Sequence, residues 1–235
     1  SMHPYNQHIN ILRIKAVATA LQELNENVVF VGGATVALYA DVQKSVEIRP
    51  TNDVDVVIEL ASYKNYGDLD ERLRSIGFQN DVESGVICRY KVQGIIVDVM
   101  PTTTNILGFS NRWYVDGFKN AIDHELFDGF SVKIFNSAYF IATKLEAHKM
   151  RGGNDFRTST DFEDIVFILD NCSTISNDLY SISDDLSQYL KVEFTRLLKH
   201  PDIKEGIYAH IEPRFAAHRS MKILEMLESF VNSFG

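Results

Sequence analysis

Hydrophobic positions change their spacing along this chain, and the change divides it. Near the start, "NILRIKAVATALQEL" puts Ile11, Leu12, Ile14, Val17, Leu21 and Leu24 at helical intervals, which predicts an amphipathic opening helix. "NVVFVGG" is a short β-branched run that ends in two glycines, and "ATVALYA" resumes a helical pattern. "DVDVVIEL" predicts a second strand. "YGDLDERLRSIGF" returns to helical spacing at Leu69, Leu73 and Ile76 and stops near Gly77. "VICRYKV" and "IIVDVM" read as strands joined across Gln93 and Gly94, the spacing of a hairpin. From Asn105 to Asp128, around the single tryptophan Trp113, the pattern predicts a covering loop with a short strand. Beyond "FSVKIFN" it is helical: "SAYFIATKLEAHKMRG", "TDFEDIVFILDN", "SDDLSQYLKVEFTRLLKH" and "RSMKILEMLESFVNSF" each carry apolar residues three or four apart.

These patterns predict an α+β protein: a mixed β-sheet domain with flanking helices over 1–135, then a C-terminal helical region over 136–235, with no internal repeat or low-complexity linker. At 235 residues and 45% hydrophobic content the chain can bury a sizeable core. No window approaches the roughly 18 uninterrupted apolar residues of a membrane span. "SMHPYNQHIN" has neither the basic nor the apolar segment of a signal peptide, so the expectation is a cytoplasmic protein without a membrane partner. Cys88 and Cys172 form no close-spaced pair, which speaks against zinc. A net charge of −9 disfavours a surface coated in phosphate contacts and leaves room for a local nucleic-acid contact.

Candidate chemistry begins at "RPTNDVDVVIE". Side chains alternate along a strand, so Asp53 and Asp55 share one face and Val54 and Val56 the other. Two carboxylates so close beside an apolar run either raise a pKa or recruit a cation; the alternative is a solvated strand start. Asp98 in "GIIVDVMP" is a third acid in apolar surroundings, which calls for a partner or an exposed edge-strand face. Hard oxygen donors with open coordination positions suit magnesium. Upstream, "VGGAT" runs from a strand into a helix, a turn whose free N–H groups can face a phosphate and which is also common as plain structure. It is neither a Walker loop nor a dinucleotide fingerprint.

This order of motifs resembles nucleotidyltransferases of the DNA polymerase beta superfamily, whose hG[GS], hDhDh and h[DE]h pattern is matched by Gly32 and Gly33, by Asp53 and Asp55, and by Asp98. "GGATVALYA…RPTNDVDVVIE" with "FIATKLEAHKMRGGNDFRTSTDFEDIVFIL" is similar to the AbiEii/AbiGii toxin-type group. The likeness covers roughly Val28 to Leu169. Many superfamily members carry serine where this chain has Gly33, which leaves phosphate contacts to backbone amides together with Thr35.

The later segment also has its own reading. Lys144, His148 and Arg151 fall at i, i+4 and i+7 and would line one helix face, either offering positive charge to a triphosphate or standing in solvent. Thr160 and Glu163 have capping-box spacing, which would start a helix near Asp161 and bring Asp161 and Asp164 to one side of its first turns.

The resemblance implies a nucleotidyltransferase fold whose helical half completes the active site. It implies magnesium at Asp53, Asp55 and Asp98, as a two-metal site where manganese can substitute. It assigns nucleotide binding to Gly32, Gly33, Thr35, Arg49, Thr51, Lys144, Arg151 and Asp164, and catalytic roles to Lys144 and Asp161 beside the metal acids. The implied reaction moves a nucleoside monophosphate from an NTP to an acceptor hydroxyl on tRNA or protein, as in abortive-infection or toxin–antitoxin systems with a cognate antitoxin. Two alternatives stay open: transfer to a small antibiotic, or a catalytically silent domain of this type that binds a partner protein.

Overall fold

The computed structural model describes residues 5–41, 48–60, 65–102, 111–127, 129–151 and 153–233. The described residues within 1–38 and 43–136 form one compact unit, and those within 39–42 and 137–235 form a second. The class is α+β: a mixed seven-stranded sheet with flanking helices, followed by C-terminal helices.

The first unit opens with α1 (Tyr5–Leu21), whose buried stripe is Asn10, Ile14, Val17, Ala18 and Leu21. Leu12 is 56% exposed, against the sequence expectation, because it lies about 200° around the helix from Ile14. A 3-10 turn (Gln22–Asn27) leads into β1 (Val28–Val31), buried along its whole length. Gly33–Tyr39 then resumes as a helix, as the pattern predicted, and winds in the 3-10 form. The Thr35 N–H and hydroxyl both close back onto the Gly32 carbonyl, which draws the chain into the tighter i→i+3 winding.

Next come β2 (Asp53–Ile58) and α2 (Tyr66–Ser75). The Asn65 side chain accepts the Asp68 N–H at 3.0 Å to cap α2, and Gly77 at φ +103° ends the segment. β3 (Gln79–Asn80), β4 (Arg89–Val92) and β5 (Ile95–Pro101) follow, then α3 (Tyr114–Lys119), β6 (Ile122–Phe127) and β7 (Phe130–Ile134). The sheet runs β3-β4-β5-β2-β1-β7-β6. Only β2–β5 and β1–β7 pair in parallel; the other neighbours are antiparallel.

Two sequence expectations change here. Between Asn105 and Asp128, where a covering loop with a short strand was predicted, the described residues include the strand, β6, and in place of part of the loop a helix, α3; residues 105–110 and 128 lie outside the described ones. Gly117 lets α3 sit on the Phe135 ring, since a Cβ there would come within 2.9 Å of it. β6 is an end strand with little buried surface, so it lacks an apolar signature. Asp98 is the second case: β5 lies between β4 and β2, so the edge-strand reading falls.

The second unit is helical: α4 (Ser137–Met150), α5 (Thr160–Asn171), α6 (Ile175–Tyr180), α7 (Asp184–Lys199), α8 (Ile203–Ala209) and α9 (Ala216–Val231). α4 packs on α5, α6 and α7, and α7 packs on α8 and α9. Tyr39 and Asp41 belong with these helices. The Tyr39 ring lies 4.9 Å from Phe140, and the Ser173 hydroxyl donates to Asp41 Oδ1 at 2.9 Å. α5 is capped by Ser159, whose Oγ accepts the Phe162 N–H at 3.1 Å, so the predicted Thr160–Glu163 capping box does not form. Ser159 takes the cap because its hydroxyl is also held by His148 at 2.8 Å. Among the described residues no helix is long and apolar enough to cross a membrane.

Candidate metal centre

The parallel β2–β5 ladder sets Asp55 directly beside Asp98, and Asp53 lies two residues back on the same face. One carboxylate oxygen from each of the three residues falls within 4.8 Å of the others. Val54 and Val56, fully buried, anchor the opposite face in the core, so the acids are held by the packing of the strand that carries them. The Asp98 side chain is 13% exposed, whereas the Asp53 side chain retains 35%, which leaves one side of the cluster open. Three hard oxygen donors with an open side fit a small divalent cation.

Gly32 completes this corner. It has φ +77°, and a Cβ there would lie 2.3 Å from Asp55 Oδ2. Glycine is therefore required twice, by the left-handed backbone and by the carboxylate pressed against it. Thr35 is fully buried with its hydroxyl on the Gly32 carbonyl, so it holds the turn. Arg49, Thr51 and Asp53 line a cleft of about 480 Å³ together with Pro50, Asn52, Arg89 and Ile96.

Residues absent from the sequence reading support this cleft. Asn10, fully buried on the α1 stripe, donates to the Arg49 carbonyl at 3.3 Å and accepts the Thr51 N–H at 3.4 Å. The Arg13 guanidinium donates to the Thr51 carbonyl. The Thr51 hydroxyl donates to the Asp53 carbonyl at 3.2 Å, so α1 is pinned to the start of β2. A polar residue on an otherwise apolar helical stripe was the available signal for Asn10.

Arg89 is the largest omission. On the antiparallel β4–β5 ladder it stands opposite Asp98 and grips it at two points, Nε to Oδ1 at 2.8 Å and Nη2 to Oδ2 at 2.9 Å. Nη2 also lies 3.7 Å from Asp53 Oδ2. The hydrogen bonds to Asp98 raise the guanidinium pKa above its already high ordinary value, so the group is a fixed cation. Counting outward from the Gln93–Gly94 turn, with Val92 opposite Ile95, would have placed Arg89 opposite Asp98.

The remaining predicted residues cluster in the second unit. Lys144 Nζ lies 2.8 Å from Asp164 Oδ2 and 3.6 Å from Asp161 Oδ1, and the Arg151 guanidinium pairs with Asp161. Both acids are 3% exposed. His148 departs from the expected cationic face. It is buried, its Nε2 meets the Gly153 carbonyl at 3.1 Å and its Nδ1 meets Ser159 Oγ. A carbonyl only accepts, so Nε2 donates; in the neutral ring Nδ1 then accepts the Ser159 hydroxyl proton. Burial pushes the imidazole pKa below its ordinary value, more than the Gly153 carbonyl, Asp161 and Asp155 push it up. Phe156 and Phe162 pack on this ring at 5.5 and 5.7 Å.

No protein-family model matches the chain, and no curated protein is similar enough to match it.

Proposed function

We propose that this chain is a divalent-metal-dependent nucleotidyltransferase that moves a nucleoside monophosphate from an NTP to an acceptor hydroxyl. The observation that carries the reading is the convergence of Asp53, Asp55 and Asp98 on one sheet face beside the Gly32 turn. These carboxylates would hold magnesium, which when bound neutralises triphosphate charge and orients the phosphates. The acceptor oxygen forms a bond to the α-phosphorus as the bond to the bridging oxygen breaks, pyrophosphate leaves, and the Asp98 carboxylate takes the acceptor proton. Arg49 and Thr51, in the cleft beside Asp53, bind the nucleotide. The backbone of Gly32 and Gly33 approaches the phosphates where a side chain would obstruct them.

By the resemblance, Lys144 and Arg151 are the nucleotide-binding cations of the second unit, where Asp164 and Asp161 hold the lysine through ion pairs. The acceptor is a macromolecule, tRNA or protein, in the cytoplasm, consistent with the toxin-type resemblance. Binding is tested by thermal melting with each NTP in the presence and absence of magnesium. The expected result is magnesium-dependent stabilisation by at least one NTP in the wild type and none in an Asp53→Asn/Asp55→Asn variant. Equal shifts in both proteins would contradict the assignment.

A further inference from the structure

A fixed cation already occupies the acidic cluster. Arg89 takes both oxygens of Asp98 and reaches toward Asp53, so one guanidinium spans two of the three carboxylates. This contact is built into the fold. The two-residue turn, with Gln93 at φ +50° and Gly94 at φ +77°, fixes the β4–β5 register that puts Arg89 opposite Asp98. Cys88, just before Arg89, is held in a left-handed conformation at φ +69°, and its carbonyl accepts the Val99 N–H at 2.9 Å. A buried non-glycine residue in that conformation persists only where its surroundings enforce it.

A divalent ion on the same carboxylates meets two obstacles. It competes with the guanidinium for the Asp98 oxygens, and it comes close to a fixed positive charge. The Arg89 side chain retains 23% exposure and borders the cleft of Arg49, Thr51 and Asn52, so it has room to leave Asp98.

We infer that Arg89 is an internal counter-ion that holds the three-carboxylate site when metal is absent, and that metal binding requires Asp98 to exchange this guanidinium for the divalent cation. The inference rests on the reading of Asp53, Asp55 and Asp98 as a metal site. Its consequence is that the arginine weakens resting metal affinity while it stabilises the metal-free protein. A residue that only positioned Asp98 for the metal would have the opposite effect on affinity.

The experiment titrates Mn²⁺ into the full chain, without nucleotide, and reads free Mn²⁺ by electron paramagnetic resonance. Wild type, Arg89→Gln and Asp53→Asn/Asp55→Asn are compared, with melting temperatures recorded beside each titration. Arg89→Gln should bind Mn²⁺ at least about tenfold tighter than wild type, about 1.4 kcal/mol. It should also melt lower without metal and recover more on Mn²⁺ addition. An Arg89→Gln affinity equal to or weaker than wild type overturns the inference, while Mn²⁺ binding by wild type that the double variant loses keeps the metal-site reading standing. Absence of Mn²⁺ binding in both wild type and Arg89→Gln overturns the two together. Should Arg89→Gln fail to fold, Arg89→Lys retains the charge without the two-point grip and should bind several-fold tighter than wild type; unchanged or weaker binding overturns the inference equally.

Discussion

Replacing Lys144 with methionine keeps most of the aliphatic stem and removes the charge between two buried acids. In the folded protein its Nζ is 2.8 Å from Asp164 Oδ2 and 3.6 Å from Asp161 Oδ1, with side-chain exposures of 13%, 5% and 4% for Lys144, Asp164 and Asp161. At an effective dielectric constant of about 20, the gross attractions at those separations are about 6 and about 5 kcal/mol. Desolvation of all three groups cancels most of that sum, and removing one partner of a buried ion pair costs about 3–5 kcal/mol. Asp161 keeps Arg151, which places the expected loss toward the lower figure. For a chain of this size the melting temperature should fall by about 6–20 °C. The assay is calorimetry on Lys144→Met beside the triple variant Lys144→Met/Asp161→Asn/Asp164→Asn, which removes both buried carboxylate charges along with the lysine and should recover most of the stability. A loss below about 1 kcal/mol in the single variant, or a triple variant no more stable than the single one, would refute the argument that Lys144 compensates these acids.

Three further outcomes follow from the geometry. Gly32→Ala should cost about 1–2 kcal/mol for its left-handed backbone alone, and it should also weaken Mn²⁺ binding because the new Cβ would displace Asp55; wild-type melting and Mn²⁺ affinity together would contradict this. Asn10→Ala strips partners from the Arg49 carbonyl and the Thr51 N–H and should cost about 1–3 kcal/mol by urea unfolding, an expectation that a change under a few tenths would overturn. His148 has a folded pKa below its unfolded value, so the unfolded chain binds more protons once pH drops below about 6.5. Its stabilisation is present above that pH and is lost as pH falls toward the folded pKa. His148→Gln should flatten part of the stability–pH slope between about pH 7 and 5, with His124, shifted the same way by burial, keeping the remainder; an unchanged slope would contradict it.

Strand alternation was enough to put Asp53 and Asp55 on one face, because that relation is local. The approach of Asp98 depends on β2 and β5 pairing in parallel, a contact between segments about 40 residues apart that periodicity does not encode. Arg89 was hidden for a different reason: "VICRYKV" reads as an ordinary strand until the hairpin register is counted out to Asp98. The charges on α4 looked available because their partners lie on α5, where Asp161 and Asp164 read as ordinary first-turn acids. Ser159 displaced Thr160 as the α5 cap through a hydrogen bond to His148, eleven residues earlier and on another helix. In each case the residue type was legible, and its partner was set by tertiary contact.

The central claim is tested most directly by label transfer. The purified chain, with magnesium and each α-³²P-labelled NTP in turn, is incubated with total cellular RNA and with cell-extract protein, beside the Asp53→Asn/Asp55→Asn variant. The account predicts a labelled RNA or protein species that forms with the wild type, requires magnesium and is missing with the variant. Labelling that the variant makes as well as the wild type, or none with any NTP and either acceptor pool, would contradict it.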